Sequence, residues 1–170
     1  MKNRILVILL FFTTFVNAQE HFIQINGKTN VNSFKCKNHQ FYFEKEAHNF
    51  FSSKLPNIYL KYVEFDCGNK MMNRDFQKIL QADNYPYLHI NFLKFTQTES
   101  ESYVAVIEVT MVQKTIKYVV DFKMANGHLV GDKNVKFSDF NIVPPKKMGG
   151  LIVVKDDLDL VFNMHAKEKH

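Results

Sequence analysis

From Phe22 onward the chain alternates apolar and polar residues, the period-two pattern of strands that bury one face and wet the other. The clearest run is the last: Leu158, Leu160, Phe162, Met164 and Ala166 alternate with Asp157, Asp159, Asn163 and His165, and Val161 alone breaks the polar phase. Ile116, Tyr118, Val120 and Phe122 form a second apolar row, and Leu88, Ile90 and Phe92 a third, with His89 and Asn91 in the opposite phase. Tyr103 to Met111 is apolar in both phases, and its Val, Ile and Thr content favours strand over helix. Phe22–Asn26, Val31–Cys36, Phe41–Phe43, Ile58–Asp66 and Val135–Phe137 are shorter candidates. Turns are expected at Asn26-Gly27, Asn38-His39, Asn126-Gly127 and Gly131-Asp132.

One segment departs from this rhythm. Asn73 suits a helix N-cap, Asp75 would complement the dipole in the first turn, and Phe76, Ile79 and Leu80 fall at i, i+3, i+4. Asn84-Tyr85-Pro86 ends the pattern, because the residue before proline is pushed out of helical geometry. The expectation is a short amphipathic helix of about ten residues, with a second helical candidate across Glu44–Ser53. The fold class expected is all-β and antiparallel, a sandwich or a barrel. A barrel of about eight strands can enclose one small ligand.

The chain opens with Lys2 and Arg4, an apolar run from Ile5 to Phe12, and Val16 and Ala18 spaced for a signal-peptidase cut. A membrane anchor is the alternative, but the apolar run is shorter than the roughly 20 residues a span requires. Residues 1–18 are therefore read as a signal peptide and 19–170 as one exported domain, periplasmic or secreted. Cleavage would lower the 22 basic residues to 20 against 17 acidic ones. So small a surplus, on scattered lysines, argues against nucleic acid, which needs a clustered basic face. The 17 Phe and no Trp supply many purely apolar rings to bury.

Chemistry-bearing residues are sparse. Cys36 and Cys67 form an even pair in an oxidising compartment, which suggests a disulfide, with two buried free thiols as the alternative. The seven histidines never take a metal-ligand spacing, and His89 and His165 occupy the outward phase of strands. Asp156, Asp157 and Asp159 lack the glycine of a calcium loop and read as a solvated face. Arg74 and Asp75 are neighbours on a helix and do not face each other. No Gly-x-Ser-x-Gly elbow is present. No metal, no cofactor and no catalysis are expected.

Asp66-Cys67-Gly68-Asn69, then Asn73-Arg74-Asp75, the short helix, Tyr85-Pro86 and a following strand together resemble the YceI-like family. The alternating last strand fits that pattern too, and Ile25 to Cys36 resembles the opening of a divergent branch in which two cysteines accompany each other. Val109 to Thr115 lacks the glycines usual in the family's middle turn. The resemblance implies a lipocalin-like antiparallel barrel with a polyisoprenoid or quinone-like lipid in its apolar interior and no catalytic residues. Its candidate lining is Leu88, Ile90, Phe92, Ile116, Tyr118, Val120, Phe122, Leu158, Leu160, Phe162 and Met164. The partner implied is an apolar lipid, with a second copy of the chain as a further candidate and no stable membrane span. The competing expectation is a solid-cored envelope domain that acts through its surface.

Overall fold

The computed structural model describes residues 21–43 and 50–166; the expected export segment and most of the 44–53 helical candidate lie outside them. The alternating runs become β1 (Phe22–Thr29), β2 (Ser33–Asn38), β3 (Tyr42–Phe43), β4 (Asn57–Lys61), β5 (Tyr87–Glu99), β6 (Ser102–Met111), β7 (Lys114–Ala125), β8 (His128–Lys136), β9 (Lys146–Lys147) and β10 (Ile152–His165). Helix α1 (Lys70–Ile79) stands between β4 and β5. All described pairings are antiparallel, in the order β2-β1-β10-β8-β7-β6-β5-β4-β3, with β9 on the side of β10. The sheet is strongly curled, so the fold is all-β and lipocalin-like.

Register follows the apolar phase, because a one-residue slip would turn every buried side chain to water. Ile23 opposes Phe162 and Ile25 opposes Leu160, while Val109 lies between Ile90 and Ile116. In β5 an irregularity between Phe92 and Lys94 leaves Leu93 exposed and brings Phe95 back to the inner face opposite Ala105.

The strand order leaves β2 and β3 as edges, and the chain following β4 closes the β2 edge. Lys37 and Asp66 exchange two backbone hydrogen bonds of 2.9 and 2.8 Å, and the Asn38 amide donates to the Lys61 carbonyl at 3.2 Å. The Cys36–Cys67 disulfide lies in the same seam, both residues buried. The bridge is thus a lateral clasp between the two ends of the curled sheet.

Four local expectations change. The helix begins at Lys70, capped by Asn69, whose side chain accepts from the Met72 N–H at 2.9 Å. Asn73 instead accepts from the Cys67 N–H at 2.7 Å, and Asp75 binds the Lys147 ammonium at 2.8 Å instead of serving the first turn. Gly27 and Gly131 lie inside strands, not in turns. Gly27 lies under the Phe34 ring, and a Cβ at Gly131 would come within 2.6 Å of the Asp121 carbonyl. Both are close-approach glycines. The Ile58–Asp66 candidate is strand only to Lys61; Tyr62–Glu64 is a 3-10 turn that swings the chain towards β2.

Candidate functional site

The strand phase puts every candidate lining residue on the concave face of the sheet. Leu88, Ile90, Phe92, Val120, Phe122, Leu158, Leu160, Phe162 and Met164 are buried there, and Ile116 and Tyr118 share the face half-buried. Residues outside the sequence-derived set join them: Ile23 and Ile25 from β1, Leu60 from β4, and Ala105, Ile107 and Val109 from β6. The β6 residues escaped selection because their strand is apolar in both phases, so period two assigns no inner row; the pairing partners do.

Aromatic rings form a continuous strip across this face. Phe51 meets Tyr103 (5.8 Å between centroids), Tyr103 stacks on Phe95 (4.9 Å), Phe95 reaches Phe122 (6.4 Å), and Phe122 meets Phe162 (5.3 Å). Phe50 and Phe92 flank the strip 5.0 Å apart. Phe92, Phe122 and Phe162 are sealed, whereas Phe51, Phe95, Tyr103 and Met124 are only half-buried. The inner face therefore reaches solvent at this end.

The wall also forks. The β7–β8 ladder runs only from Ala125↔His128 to Phe122↔Gly131, although both strands continue beyond it. Ser138–Phe140 fills the divergence: the Phe140 ring lies 6.4 Å from Tyr118, and the Tyr118 hydroxyl donates to Asp139 at 2.9 Å. Lys133 pairs with Leu160 in register and so belongs to the inner face. Its ammonium lies 6.0 Å from the Tyr118 ring centroid. On the apolar inner wall Lys133 is a charged exception, and no local sequence signal marks it, since Asp132 and Asn134 on either side are polar too.

Two tyrosines are perturbed. Burial pushes the Tyr62 hydroxyl above the usual phenol range, and that oxygen has no hydrogen-bond partner. Burial and then the Asp139 carboxylate push Tyr118 up as well. His128 is buried and shares a 2.8 Å hydrogen bond with Asn163; His89 stacks on Tyr59 at 4.4 Å and bonds to Asn57. Each of these histidines has a structural partner. Among the described residues no group of three or more His, Cys, Asp or Glu could hold a metal ion, and no helix is long and apolar enough to cross a membrane. Among the described residues the interior thus offers apolar area, ring faces and a few polar groups, the Lys133 ammonium beside the Tyr118 phenol among them.

No protein-family model and no curated protein sequence matches the chain. Solved structures do. Burkholderia cenocepacia BcnA superposes with a TM-score of 0.68 at 18% identity, over 86% of this chain and 96% of that one. A Campylobacter jejuni YceI protein gives 0.57 at 17% identity, over 77% and 81% of the two chains. A polyisoprenoid-binding domain from Saccharophagus degradans gives 0.56 at 9% identity, over 89% and 97%. The chain has the fold these proteins share.

Proposed function

We propose that the chain is an exported, non-catalytic binding protein that holds a long apolar lipid, of polyisoprenoid or quinone type, against the concave face of its sheet. The observation that carries this is the ring strip from Phe51 to Phe162, aromatic throughout yet half-open at Phe51, Phe95 and Tyr103. Such a surface offers a polar substrate little beyond the Tyr103 hydroxyl. For an isoprenoid, each buried carbon is worth about 0.8 kcal/mol, so a five-carbon unit contributes roughly 4 kcal/mol gross. Ordering the flexible chain then removes part of that gain.

The fold shared with a polyisoprenoid-binding domain supports the same ligand class. The Cys36–Cys67 bridge supports an oxidising compartment. The polar end of the lipid belongs at the β7–β8 fork, where Lys133, Tyr118 and Asp139 bring polar groups to the inner wall. The competing reading, a solid-cored interaction domain, draws on the sealed contact of Phe92, Phe122 and Phe162.

Native mass spectrometry of protein purified gently from its own host tests the proposal. A co-purifying molecule of fixed mass that yields an isoprenoid on extraction is expected, together with uptake of added polyprenols or quinones. Protein that is empty in repeated preparations and takes up neither lipid would overturn the carrier reading in favour of the solid core. Lys133→Met should leave the isoprenoid tail bound and weaken discrimination between head groups.

A further inference from the structure

The end of the barrel that carries β9 and the β1–β2 turn exposes large apolar side chains that no strand phase explains. Val143 is 85% exposed, Leu151 72%, Met148 70% and Val31 64%. They sit on two segments bound to each other: the Asn30 amide donates to the Leu151 carbonyl at 2.9 Å, and the Asn30 backbone N–H donates to the Val153 carbonyl at 3.1 Å. The Val153 N–H returns a bond to the Asn30 side chain at 2.9 Å. The apolar tips therefore project from a stitched platform, in which β9 pairs with the start of β10 and Met148–Gly150 forms the turn.

The segment that carries Val143, Met148 and Leu151 is basic, with Asp75 beside it. From Val143 to Lys155 there are three lysines and no acid, and Lys28 adds another at the neighbouring turn. Lys146 and Lys155 are exposed, while Lys147 is held by Asp75. Asp157 and Asp159 lie on the flank, in a groove shared with Lys28 and Lys35. Scattered exposed apolar residues are ordinary on a soluble protein. A set of apolar tips with exposed lysines among them is the composition of a surface that enters the interface of an anionic bilayer.

We propose that this end docks on an anionic lipid surface, with Val143, Met148, Leu151 and Val31 entering the head-group boundary and the lysines meeting lipid phosphates. The same segment continues backwards through Ile142 to Phe137, whose backbone atoms bond each other at 3.0 Å beside the β7–β8 fork. Docking would thus set the fork towards the membrane. The proposal concerns the outer surface and stands without a bound lipid inside.

Vesicle flotation tests it, using disulfide-linked protein from an exporting host with phosphatidylglycerol–phosphatidylcholine vesicles and pure phosphatidylcholine vesicles. Binding to the anionic vesicles is expected, at least about tenfold weaker on neutral ones and weakened by salt. M148E/L151E should lose about tenfold or more while keeping the wild-type melting temperature and the wild-type content of co-purified lipid, since both side chains point to solvent. No flotation, or equal flotation of wild type and M148E/L151E, would overturn the proposal. So would a dimer in sedimentation that M148E/L151E dissociates, which would assign the face to a second copy.

Discussion

Removing the disulfide should show how much of the closure of this barrel rests on one covalent clasp. Cys36 and Cys67 are 31 residues apart, and the bridge joins β2 to the chain that follows β4. In the chain-entropy model a loop of that length restricts the unfolded ensemble by about 12 cal/mol/K, or roughly 3.7 kcal/mol at room temperature. Replacing both residues by Ala adds the loss of two buried sulfur side chains, so about 4 kcal/mol is the expected destabilisation. What then holds the seam is the Lys37–Asp66 backbone pair and the Asn38–Lys61 bond. Each is worth about 1 kcal/mol net. Urea unfolding of the wild type and of C36A/C67A, followed by circular dichroism, measures the difference. Native-state hydrogen exchange at the Lys37 and Asp66 amides locates it. The double variant should unfold at markedly lower urea, and those two amides should lose protection before the β6–β7 ladder does. A loss under about 1 kcal/mol, with both amides still protected, would refute the clasp argument.

Asn69→Ala removes the side-chain cap of α1 and should cost about 1 kcal/mol in thermal or urea unfolding, whereas Asn73→Ala should act through the Cys67 N–H bond and spare the helix start. Tyr62→Phe deletes a buried hydroxyl that has no partner, so stability should rise by about 1 kcal/mol; a loss would mean that a water or ligand bonds to it. Because the Tyr62 and Tyr118 hydroxyls ionise at higher pH in the folded than in the unfolded chain, their contribution is complete below the ordinary phenol range and fades above about pH 10. An alkaline titration of stability should show that limb, and Tyr62→Phe should flatten it. The Ser138 hydroxyl holds the Asp156 carboxylate below the usual carboxylate range, so the associated stabilisation is present above that range and disappears as pH falls through the folded-state value. Ser138→Ala should reduce this small acid-limb slope, read by melting temperature between pH 3 and 6.

Much of the molecule is written in local pattern. Period two marked β5, β7 and β10, and it assigned Leu88, Phe122, Leu160 and their neighbours to one face, because adjacent residues in a strand must point to opposite sides. The paired cysteines were legible as a bridge from their number and the expected compartment. Local pattern also misled. Gly27 and Gly131 looked like turn residues, whereas the non-glycine pair Val112–Gln113 makes a tight turn with both φ angles positive. Turn propensity weighs a residue against its chain neighbours and not against a ring or carbonyl on the next strand.

The order of apolar and polar residues alone determined that the chain would build an antiparallel, apolar-lined sheet and a short helix ahead of Tyr85-Pro86. Tertiary structure alone decided where that sheet closes, which of Asn69 and Asn73 caps the helix, and that Lys133 stands on the inner wall. It also decided that Val31 and Leu151, remote in sequence, share one exposed end. Side-chain phase is a property of two or three consecutive residues and can be read along the chain. Closure, register and shared surfaces depend on which distant strands pair, and that follows from the free energy of the whole packed sheet.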